Sequence, residues 1–79
     1  MINFKQKELV DEIYNEVKNS FTEINLIDVS ESPEDPNDLW INITAPNDED
    51  REIELRELAS ELSTEALINY GYSILVMPL

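Results

Sequence analysis

Hydrophobic residues fall into two different periods along this chain, and the order of those periods restricts its fold more than any other feature. Leu9, Val10, Ile13, Tyr14 and Val17 recur at three-to-four-residue spacing, with Phe21 just beyond, which predicts an amphipathic helix over about 4–19. Asn3 is placed to cap that helix, and Gln6, three residues on, occupies the reciprocal capping-box position. Glu8, Glu12 and Glu16 form the opposite, solvated stripe. A strand is expected over about 23–30, with Ile24 and Leu26 on one side and Ile27 and Val29 on the other. Asp28 breaks the first series. An unpaired carboxylate in a core is costly, so Asp28 is expected at a bulge or at the strand's end.

Residues 30–37 hold two prolines among small polar and acidic side chains and read as a loop. Leu39, Ile41, Ile43 and Ala45 then alternate with Trp40, Asn42 and Thr44, which predicts a second strand over 38–45. Pro46 ends it. Asn47 or Asp48 opens a long helix whose first turn is rich in acids, where the helix dipole favours negative charge. Its core stripe is Leu55, Leu58, Ala59, Leu62 and Ala66, with Tyr70 near the end. Glu52 and Arg56 form a favourably oriented pair. Gly71, the only glycine, stands where a left-handed C-cap is wanted. A last strand over 72–77 is apolar at nearly every position.

The order α-β-β-α-β over residues 1–79 predicts a single small α+β domain: a three-stranded mixed sheet with two helices packed on one face. The first two strands are expected to pair antiparallel, and the crossover through the long helix should make the last two parallel. A domain of this size buries roughly 60% of the surface its unfolded chain exposes, so its stability is modest.

Composition narrows the chemistry. Without cysteine or histidine there is no disulfide framework, no zinc site of the usual kind and no thiol or imidazole catalysis. The missing cysteine also fits a reducing, cytoplasmic setting. Eighteen acids against five bases give a formal charge of −13, which repels phosphate backbones and anionic lipid. No nucleic-acid or membrane partner is therefore expected. The opening residues are too short and polar for a signal peptide, and no apolar run approaches the ~20 residues of a membrane span. With one glycine, no phosphate-cradling loop can be built.

Two helices on one side leave the other sheet face bare, and a last strand apolar on both sides calls for cover on both. That face is expected to carry Trp40, Asn42 and Thr44, with Tyr72 and Ile74 from the last strand. The function these residues suggest is a non-catalytic protein-interaction domain, self-associating as a homodimer through the open face, with no cofactor. An enzymatic alternative is a magnesium site held by carboxylates, with Asp28 and Asp38 close across the hairpin and Asp35 in the loop between them. A third reading is an acidic partner for a basic protein, whose binding would weaken with salt.

The element order, Lys7-Glu8-Leu9-Val10-Asp11-Glu12-Ile13 on the first helix, and Ser32-Pro33-Glu34-Asp35-Pro36-Asn37-Asp38-Leu39-Trp40-Ile41 into the second strand resemble the minimal nucleotidyltransferase fold. That resemblance implies an Asp-x-Asp pair for magnesium at the start of the second strand. Asp38 would match its second member, while Pro36 stands at the first, so the resemblance implies a degenerate, non-catalytic relative. The element order is also similar to KH-like domains and small ribosome-assembly factors. Their Gly-x-x-Gly loop and basic surface are missing, and with them the RNA binding.

Overall fold

The computed structural model describes residues 2–79, and its elements follow the order α-β-β-α-β. Helix α1 spans Phe4–Ser20, β1 Leu26–Glu31, β2 Leu39–Ile43, α2 Glu49–Tyr70 and β3 Ile74–Pro78. The fold is α+β, with a three-stranded mixed sheet in the order β1-β2-β3. β1 runs antiparallel to β2, and β3 runs parallel to it.

Local chemistry sets the helix ends. The Asn3 side chain accepts from the Gln6 N–H at 2.7 Å while the Gln6 side chain accepts from the Asn3 N–H at 3.0 Å, completing the capping box. Asp48 caps α2 by accepting from the Asp50 N–H at 2.9 Å. Gly71 closes α2 with φ 74°, a left-handed conformation that a Cβ would make costly. The Glu52–Arg56 pair forms, at 3.8 Å.

The core is one cluster. Leu9, Val10, Ile13 and Val17 of α1 and Leu55 and Ala66 of α2 gather with Leu39, Ile41, Ile43 and Ile74. Residues two apart on a strand share a face, so the sheet meets both helices with the side that carries Leu39, Ile41 and Ile43. Ile24, Ile41, Ile43, Leu55 and Ile74 are each 0% exposed.

The ladder of β1 begins at Leu26, three residues later than its apolar pattern suggests, and it is broken at Ile27. Leu26 opposes Ile43 and Asp28 opposes Asn42, which leaves Ile27 as the extra, bulged residue. The bulge turns Val29 toward the core, opposite Ile41, and turns Asp28 to the helix-free face. Ile27 drops out of the pairing and is 51% exposed, while Val29 packs against the core.

Candidate interaction surface

The helix-free face is short and half polar. From β1 it carries Asp28 and Ser30, and from β2 Asn42 and Trp40, paired across the antiparallel ladder. Asn42 donates to the Asp28 carboxylate at 2.6 Å and to the Ser30 hydroxyl at 3.0 Å. Those bonds satisfy an amide that is only 9% exposed and give the Asp28 carboxylate a partner. From β3 the same face receives Leu75, beside Trp40, and Met77, beside Asn42. The apolar half is thus a strip of Trp40, Leu75 and Met77. Leu75 is 43% exposed; Trp40 and Met77 are half-buried.

Two residues expected on this face are elsewhere. Ile74 is fully buried among the helices, because its parallel partner Leu39 points to the core. Tyr72 precedes β3, packs against the core cluster and accepts a hydrogen bond at its hydroxyl from Asn3 Nδ2 at 3.2 Å. Thr44 lies one residue beyond β2, exposed, with its hydroxyl accepting from the Asn25 N–H at 2.9 Å. Leu75 and Met77 take the places given to Ile74 and Tyr72. The signal that could have found them is the parallel register with β2, and an unbroken apolar run conceals it.

The three acids of the magnesium alternative are not brought together. Asp28 sits opposite Asn42, while Asp38 lies past the other end of the ladder, where its carbonyl accepts from the Ser32 N–H at 2.8 Å. Four residues of extended strand separate the two levels by about 13 Å, too far for one ion to bridge. Asp35 is used within its loop, accepting from the Asn37 N–H at 2.9 Å. Among the described residues, no group of three or more acids is placed to hold a metal ion.

The cations belong to the helix layer. Arg51 forks onto Glu23 with bonds of 3.0 and 2.9 Å, donates to the Ser20 carbonyl at 3.1 Å and lies 4.4 Å over the Phe21 ring. Lys5 pairs with Glu8 at 2.9 Å and sits 4.3 Å over the Tyr70 ring. Lys18 donates to the carbonyls of Thr22 and Ile24 beyond the end of α1. None of these is among the residues of the helix-free face, where the Asp28 carboxylate is engaged by Asn42.

The Arg51 hydrogen bonds hold the Glu23 carboxyl below the usual glutamate value, and Glu23 in turn raises Arg51. A depressed acid supports the fold above its unfolded pKa and loses that support as pH falls through its folded pKa. Arg51→Met is therefore expected to unfold at lower denaturant than the parent at neutral pH, with the gap narrowing below the Glu23 midpoint. A carbon-detected titration of Glu23 should show that midpoint rising in the variant.

No family model, no curated protein and no solved structure matches this chain. Among the described residues, no helix is long and apolar enough to cross a membrane.

Proposed function

We propose that this is a non-catalytic, cytoplasmic protein-interaction domain that self-associates through the helix-free face of its sheet. The observation that carries the reading is the strip of Trp40, Leu75 and Met77, apolar and partly exposed, on a molecule whose formal charge is −13. Acids elsewhere on the surface hold copies apart, so contact between copies is favoured where charge is missing. Trp40 is the residue type most often central to such contacts.

Sedimentation at tens of micromolar tests this. The chain is expected to exceed its monomer mass, and Trp40→Glu to weaken the face contact by about 2 kcal/mol or more while helical circular dichroism is unchanged. A mass that Trp40→Glu leaves unaltered would count against the reading. Added salt separates it from attachment to a basic protein. Screening relieves the repulsion between two acidic copies and tightens their association, whereas it loosens a contact between opposite charges.

A further inference from the structure

One flank of α1 has no neighbour in the fold. Phe4, Lys7, Asp11 and Tyr14 recur at alternating three- and four-residue spacing, so they lie in one row along the helix. The row is turned well away from Leu9, Ile13 and Val17, which meet the core. Phe4 is 81% exposed, Lys7 and Asp11 are exposed, and Tyr14 is half-buried. Beside the row, Ile2, Phe4, Val10 and Val29 wall an apolar groove of about 290 Å³, with Lys7 and Asp11 at its rim. Those two charges are four residues apart, yet they do not pair. The ion pairs among the described residues are Lys5–Glu8, Arg51–Glu23 and Arg56–Glu52. A cation placed N-terminal to its acid is the weaker orientation on a helix, so both charges remain available.

We infer that a second copy of this chain docks on this flank, α1 against α1, antiparallel about a two-fold axis at the level of Leu9. In that register Lys7 of each copy meets Asp11 of the other, and Phe4 meets Tyr14, each contact being made twice. Tyr14 of one copy then covers Phe4 and the groove beside it, an aromatic pair whose rings leave water together. Charge selects the occupant. A chain of net charge −13 resists its own copies over most of its surface. This row instead carries a cation and an acid at positions that a two-fold axis brings into attraction. α2 offers the contrast. Its exposed Ile53 and Leu67 have Glu57 and Glu61 between them, so copies meeting there would bring like charges together. A seam between two single helices is at the low end of interface sizes, so the dimer is weak and forms at high concentration. It does not compete with the helix-free face, because α1 packs on the other side of the sheet, and it stands or falls independently of that contact.

Exchanging the charges tests the register. Lys7→Asp and Asp11→Lys each set like charges opposite one another, and each is expected to weaken association about tenfold in sedimentation equilibrium up to millimolar protein. Mixing the two variants restores both attractive pairs in a mixed dimer, which is expected to form at least as tightly as the parent's. Any contact through the helix-free face is common to all these chains and is unaltered by mixing. A mixture no heavier than its separate components overturns the inference and gives the flank to some other protein. Should either variant not fold, the parent decides alone. Raising it from micromolar to millimolar is expected to shift the amide signals of Phe4, Lys7, Asp11 and Tyr14, and unmoved signals overturn the inference. Trp40→Glu is expected to leave those shifts in place, so loss of the face contact and loss of this one are read apart.

Discussion

Ile41→Ala is expected to remove about 3–4 kcal/mol from the stability of this domain, a large share of what it has. The residue is on the central strand, is 0% exposed, and lies between Val29 on β1 and Val76 on β3. Truncation there loses the transfer free energy of the missing carbons and leaves a cavity walled on both sides by hydrogen-bonded strands, which cannot close in. Total stability for a domain of this length is roughly 4–12 kcal/mol at the usual per-residue values. Urea unfolding should show a much lower midpoint with an unchanged slope. A loss under about 1 kcal/mol would mean that the helices can settle into the space, and that the core is looser than its burial indicates.

The second large effect separates neighbours. Ile74→Asp is expected to abolish folding, because it replaces a fully buried side chain with a carboxylate in the apolar cluster that holds Leu39 and Leu55. Leu75→Asp, one position on, faces away from the helices and should leave a folded domain with reduced self-association. Circular dichroism and sedimentation on the pair read both outcomes. A folded Ile74→Asp would mean that the strand's phase is reversed, and with it the composition of the open face.

That phase is also the point at which the sequence stops being informative. Elements with a clear period and a chemical stop were legible: α1 from its apolar spacing and the Asn3–Gln6 reciprocity, α2 from Asp48 to Gly71, and β2 from strict alternation. An irregularity near Asp28 was legible in part: the carboxylate pointed to a bulge or to the strand's end, and the bulge falls on its neighbour Ile27 while Asp28 itself stays paired. β3 has no alternation to read. An apolar residue at nearly every position fits either facing equally well, and only the pairing with β2 selects one. The candidate surface inherits the same division. Trp40 and Asn42 lie on the face their spacing indicates, while Tyr72 and Ile74 give way to Leu75 and Met77. The hairpin geometry likewise depends on a register that spacing cannot supply, which is why Asp28 and Asp38 end at different levels of the ladder.

The parallel pairing of β2 with β3 has a further consequence, for the order in which the molecule can assemble. These partners are separated in sequence by the whole of α2, so the turn-like β1–β2 unit and both helices can form before their shared interior is sealed. Until Ile74 arrives, Leu39 and Leu55 lack a wall, and a growing polypeptide would carry them wet.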